Sequence, residues 1–143
     1  MFVVDTNILV YAANADARES PRARQLLEEW TVGGLPWFLT WGVVYEFMRV
    51  VTHRNVFDPP LEILEAWQFI ATLLATPSLR ILAETQAHSR ILAEVLQDLP
   101  SVSGNLVHDV HIATLMREHG LRRLYTRDHD FRRFQFLEVV DPF

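Results

Sequence analysis

Short apolar runs alternating with helix-length amphipathic stretches predict an α/β domain. Its central, mainly parallel sheet would have about four to five strands, flanked by helices. Two further observations support this. The chain has 143 residues, half of them apolar and 22% charged, which suits a single compact domain over 1–143. Acids also stand just past the ends of an early and a late strand, where open α/β sheets bind ligands.

The elements follow in order. Phe2-Val3-Val4 reads as a buried strand ending at Asp5, and Ile8 to Ala13 continues as a turn and first helix. Ser20-Pro21 predicts a helix start, with Ser20 as N-cap and Pro21 in the first turn; Ala23, Leu26, Leu27 and Trp30 then recur at helical spacing, and Gly33-Gly34 ends the element. Trp37-Phe38-Leu39 is a second strand, and Thr40 caps a helix to about Thr52. Asp58-Pro59-Pro60 is a break, followed by a helix through Leu61, Leu64, Trp67, Phe69, Ile70 and Leu73. Leu79 to Leu82 is strand-like, and Thr85 to Leu99 has helical periodicity. Pro100 to Gly104 is a loop, and a helix from Asn105 to His119 is closed by Gly120. Leu124-Tyr125-Thr126 and Phe136 to Val140 are the last strands. The aromatics Trp30, Trp37, Trp67 and Phe69 are expected in the core.

Composition removes several chemistries. The chain has no Cys, which excludes a disulfide scaffold and a thiolate zinc site. All 13 basic residues are Arg, so no Schiff-base lysine, P-loop lysine or lysine base is available. No apolar stretch approaches the roughly 18 residues of a membrane helix, and the first residues lack a signal-peptide pattern. The expectation is a cytoplasmic protein without a membrane partner. Eighteen acids against 13 bases give a net charge of −5, unlike a protein that holds nucleic acid by bulk positive charge.

Two acids sit at positions that call for compensation. Glu46 shares its helical stripe with Val43 and Val50, and Asp109 shares one with Leu106, Ile112 and Ala113. An unpaired carboxylate facing a core costs several kcal/mol or takes up a proton. Each acid also has a plainer reading: Asp5 as a cap, Glu46 as an ion pair with Arg49, Asp109 paired with His108, Asp128 as a solvated turn residue. A shared location at the strand ends favours one common purpose. Clustered carboxylates raise one another's pKa unless a cation neutralises them, and oxygen-only ligands suit Mg²⁺ or Mn²⁺. Without Asp5, Glu46, Asp109 and Asp128 the chain has 14 acids against 13 bases, so most of its net charge belongs to these four.

The ordered set of Val3-Val4-Asp5-Thr6-Asn7-Ile8-Leu9, Glu46-Phe47-Met48-Arg49, His108-Asp109-Val110-His111-Ile112-Ala113 and Leu124-Tyr125-Thr126-Arg127-Asp128-His129-Asp130-Phe131 resembles a PIN-domain ribonuclease, and most closely the VapC toxins of bacterial toxin–antitoxin pairs. The resemblance implies that Asp5, Glu46, Asp109 and Asp128 are the catalytic acidic quartet. Mg²⁺ or Mn²⁺ would sit on Asp5, Asp109 and Asp128, with Glu46 orienting or deprotonating water. Thr6, Asn7, Thr126 and Asp130 match supporting positions. The implied reaction is endonucleolytic RNA hydrolysis that leaves a 5′-phosphate and a 3′-hydroxyl. The implied partners are RNA, a VapB-type antitoxin and a second copy of the chain in a homodimer.

Arg127 or Arg49 are candidates for phosphate contact, with Arg18, Arg22 and Arg24 along a flanking path. His108 and His111 have i, i+3 spacing, but the Asp109 stripe, not theirs, is the one aligned with Ile112, which disfavours metal ligation by the histidines. A haloacid-dehalogenase-like phosphatase would need an acid where Asn7 stands, and a lysine. An HD-type phosphohydrolase would be all-helical. A non-catalytic acidic module that receives a basic partner segment is the alternative from a different class.

Overall fold

The computed structural model describes residues 1–99, 101–104 and 106–143. The expected loop start at Pro100 and helix start at Asn105 lie outside the described residues. Strand β1 (Phe2–Val4) leads into α1 (Thr6–Ala13) and α2 (Ser20–Val32), then β2 (Trp37–Thr40), α3 (Trp41–Val51), α4 (Ile63–Leu74) and β3 (Leu79–Leu82). Helices α5 (His88–Gln97) and α6 (Leu106–Glu118) precede β4 (Arg123–Tyr125), a 3-10 turn at His129–Arg133 and β5 (Glu138–Val140). The five strands form one sheet in the order β3-β2-β1-β4-β5, every neighbouring pair parallel. The fold class is therefore as the sequence predicts, at the upper end of the expected strand count.

The central strand explains the position of everything else. Val3 and Val4 are fully buried, and β1 pairs with Trp37 of β2 on one side and Leu124 of β4 on the other. After β3 the chain crosses through α5 and α6 to the far side of β1. The direction of strand progression thus reverses between β1 and β4, and at such a reversal the connections diverge and leave a crevice beyond the strand ends. Asp5 and Thr126 are the residues that follow β1 and β4 there.

Local chemistry sets several boundaries. The Thr40 hydroxyl accepts the Val43 N–H (3.1 Å) and starts α3 as expected. Gly120 has φ 66°, the left-handed cap that ends α6. Ser20 is the first residue of α2 rather than its cap: Glu19 occupies that position and Ser20 is buried. Helix α5 begins three residues later than its periodicity suggests. Thr85 instead turns the chain, its hydroxyl accepting the Ala87 N–H (3.1 Å) while it donates to Glu118 (2.6 Å). The helix expected from Leu61 begins at Ile63: Glu62 is its N-cap, with extended backbone and its N–H given to the Glu65 carboxylate (2.9 Å). The final strand starts at Glu138, since Leu137 closes a turn onto Phe134 (2.8 Å).

The aromatic expectation divides. Trp37 is fully buried, Trp30 packs on it and on Phe2, and Phe69 stacks on Phe47 at 5.1 Å. Trp67 is the correction: it is 41% exposed on α4, where Ala66 and Ile70 take the buried face.

Candidate acidic site at the sheet switch point

Asp5 is built in by its own backbone. Its N–H donates to the Tyr125 carbonyl (3.0 Å), which ties the end of β1 to the end of β4. One carboxylate oxygen accepts the Thr6 N–H (2.7 Å), so Asp5 is also the N-cap of α1. The other oxygen accepts from Asn7 Nδ2 (2.7 Å) and from the Thr126 hydroxyl (2.6 Å). That hydroxyl in turn accepts from Asn7 Nδ2 (2.9 Å) and from the Asp128 N–H (2.9 Å). One donor and two acceptors exhaust its capacity. Thr126 is fully buried, so this saturated hub fixes Asp5, Asn7 and the Asp128 backbone relative to one another. Thr6 supports Asp5 through its backbone N–H.

The other acids arrive from separate elements. Glu46 comes from α3, Asp109 from the first turn of α6, and Asp128 from the segment after β4, where it caps the 3-10 turn by accepting the Asp130 N–H (2.8 Å). Asp5, Glu46, Asp109, Asp128 and Asp130 all line one open cleft of about 480 Å³. Asp5 is buried, Glu46 and Asp109 are partly buried, and Asp128 and Asp130 are exposed.

Electrostatics differ across the cleft. Burial pushes the Asp5 carboxyl up to about 6, the Thr126 and Thr6 donors pull it back, and Asp128 and Glu46 raise it. Burial also pushes Asp109 up to about 7, with Asp128, Asp5 and Asp130 adding repulsion and Arg133 offsetting part of it. Glu46 moves the other way. Arg49 donates to both its oxygens (2.8 and 2.6 Å) and holds it below the usual range against the effect of burial. The expected apolar stripe is half present, Val43 buried and Val50 partly exposed, and the Arg49 hydrogen bonds outweigh the effect of burial on Glu46.

The donor set fits a hard divalent cation: it is oxygen-only, and its members raise one another's pKa, which a cation would reverse. Among the described residues, no three acids or histidines are drawn together tightly enough to hold a metal as they stand. As it stands, Glu46 is held by Arg49, and one Asp128 oxygen accepts the Asp130 N–H.

The arginine expectations sort differently. Arg127 is turned to Glu19 and lies over the rings of Tyr11 and Phe143 (6.0 and 5.8 Å). Arg22 pairs with Glu29, and Arg24 donates to the Ala12 carbonyl (2.9 Å). His111 lines the cleft but bonds Glu84 (3.0 Å), and His108 is exposed beside it. Arg133, whose charge acts on Asp109, carries no such signal in the sequence. Its i, i+3 spacing to Asp130 matters only once the 3-10 turn is known.

Comparisons with known proteins show the family and the fold. The PIN domain family matches residues 2–137. Ribonuclease VapC43 of Mycobacterium tuberculosis is 36% identical over 142 residues, 99% of this chain and 95% of its own. Ribonuclease VapC48 of the same organism is 32% identical over 139 residues, covering 97% and 95%. Among solved structures, VapBC2 from Rickettsia felis bound to a promoter DNA fragment superposes with TM-score 0.70 at 19% identity, over 97% of this chain and 96% of that one. Mycobacterium tuberculosis VapC20, described as a Sarcin-Ricin loop cleaving toxin, gives 0.69 at 21% identity, over 97% and 98%.

Proposed function

The chain belongs to the PIN-domain family and is VapC-like, and on that premise we propose that it is a divalent-metal-dependent endoribonuclease, the toxin of a toxin–antitoxin pair. One observation carries the reading: carboxylates from four elements distant in sequence line a single cleft where the strand order reverses, two of them held above their usual pKa by burial and by neighbouring acids. Donors do not relieve these two: Asp5 stays raised despite the Thr126 and Thr6 donors, and Asp109 is raised by three further acids.

Asp5, Asp109 and Asp128 would hold Mg²⁺ or Mn²⁺. Such an ion, when bound, lowers the pKa of water and offsets charge on a phosphodiester. The chain's own residues do the rest. The Thr126–Asn7 hub keeps the Asp5 carboxylate in one orientation, so that no reorganisation is needed on substrate binding. Glu46, once released from Arg49, accepts a proton from the attacking water, whose oxygen bonds to phosphorus as the 3′ oxygen departs and takes a proton from solvent. Hydrolysis in this sense leaves a 5′-phosphate and a 3′-hydroxyl. Asp130 adds negative charge beside Asp109 and so strengthens its demand for a cation.

The proposed partners are RNA, a second copy of the chain, and a VapB-type antitoxin; the structural relatives include VapBC assemblies. No helix among the described residues is long and apolar enough to cross a membrane. The test is cleavage of structured RNA by the purified chain with Mn²⁺. Fragments that vanish with EDTA and with Asp109→Asn support the reading, whereas RNA left intact by the metal-loaded wild type would return the acidic binding module to first place.

A further inference from the structure

Two arginines bring positive charge to the acidic cleft, and each is held by an acid that lines it. Arg49 grips Glu46 through two nitrogens, and Arg133 donates to Asp130 (3.0 Å), close enough for its charge to act on Asp109. The side chains of both are well exposed, at 63% and 48%. Arg22, Arg90, Arg117, Arg123 and Arg127 pair instead with acids outside the cleft. On the assumption that the cleft binds RNA, we propose that Arg49 and Arg133 are exchangeable phosphate clamps, each leaving its carboxylate for a backbone phosphate when RNA enters.

The chemistry supports an exchange. A guanidinium offers the same planar pair of donors to a carboxylate and to a phosphate, so one anion replaces the other without a change of geometry. Exposed i, i+3 ion pairs are weak, which keeps the barrier to partner loss low. A cleft lined by five acids repels RNA unless cations lie on the approach. The exchange also has a consequence at the site: Glu46 is freed only when a phosphate has taken Arg49, so substrate binding delivers the base. Arg133 also lines a smaller pocket with Phe134 and Phe136. Together the two clamps hold the RNA backbone at two points.

The test is equilibrium binding of a mixed-sequence single-stranded RNA, followed by fluorescence anisotropy. It uses the Asp109→Asn chain, so that the RNA stays intact, across about 50–200 mM salt. Arg49→Gln and Arg133→Gln should each reduce the slope of log affinity against log salt by about 0.7. Arg90→Gln, which removes an equally exposed arginine paired with Glu94 on α5, should leave the slope unchanged. Glu46→Gln should tighten binding about two- to fivefold when Arg49 is present, and not when position 49 is Gln. Parental slopes in both arginine variants overturn the proposal, as does tightening by Glu46→Gln that is independent of Arg49. A parent chain that neither binds RNA nor, as wild type with Mn²⁺, cuts it defeats the nuclease reading itself, and the clamps fall with it.

Discussion

Asp109 and Glu118 stand on the same helix, α6, and both carboxylates are removed from water, yet they titrate in opposite directions. The Glu118 side chain has no exposed surface. Burial raises its pKa, but it accepts from the Thr85 N–H (3.0 Å), the Thr85 hydroxyl (2.6 Å) and His88 (2.5 Å), and the net result lies below the usual range. Asp109, partly buried at the other end of the helix, faces Asp128, Asp5 and Asp130 and is pushed up to about 7. Burial is common to both; the neighbours differ. A covered acid surrounded by donors is a structural tie, here joining the loop before α5 to the end of α6. A covered acid surrounded by acids is unstable by itself and calls for a ligand.

The strongest way to break this contrast is to neutralise one acid of each kind. Asp5→Asn or Asp109→Asn should lower RNA cleavage at least about a hundredfold, while Glu118→Gln, assayed well below its melting temperature, should stay within a few-fold of wild type. Equal losses in gel-based initial rates would erase the distinction. A divalent cation should separate the regions next. At about a hundred times its Kd, Mn²⁺ should stabilise the wild type by about 2.7 kcal/mol in a thermal melt. Asp109→Asn should lose most of that gain and Glu118→Gln should keep it; retention by Asp109→Asn would move the ion elsewhere.

Smaller effects sharpen the picture. Glu118→Ala should cost about 1–3 kcal/mol in denaturant unfolding, because it strands the Thr85 and His88 donors. A variant as stable as wild type would show that the tie is dispensable. The pH dependence of stability in EDTA should be the mildest signature. Asp5 and Asp109 bind protons more tightly folded than unfolded, so their contribution is fully present below the usual Asp value and is lost as pH rises through about 6 and about 7. Glu118 has the opposite sign: its contribution is present above the usual Glu value and is lost as pH falls through its lowered pKa. Asp109→Asn should therefore flatten the decline of melting temperature between about pH 5 and 7.5, and an unchanged decline would place its origin outside the cleft.

Much of this molecule is legible from short-range pattern. Phe2-Val3-Val4 is too apolar and β-branched to be anything but a buried strand, Thr40 starts α3 where a hydroxyl is followed by an apolar run, and Gly120 ends α6 because only glycine takes a positive φ freely. The four candidate acids are legible for a related reason: Asp5 and Asp128 stand just past strands, and Glu46 and Asp109 interrupt apolar stripes, which local chemistry disfavours without some return. Misjudged positions are those where a partner far along the chain decides. Thr85 leaves the helical pattern for a carboxylate 33 residues away, and Trp67 faces solvent because Ala66 and Ile70 claim the packed side of α4.

Sequence alone thus determined the alternation of strands and helices, and which acids needed compensation, because backbone propensity and hydrophobic period act within a few residues. The tertiary structure set what each acid meets: an arginine for Glu46, further acids for Asp109, and donors for Glu118, which no local pattern singles out. Electrostatic energy depends on distance through space, and the crossing from β3 to β4 sets those distances in a way that no local pattern encodes.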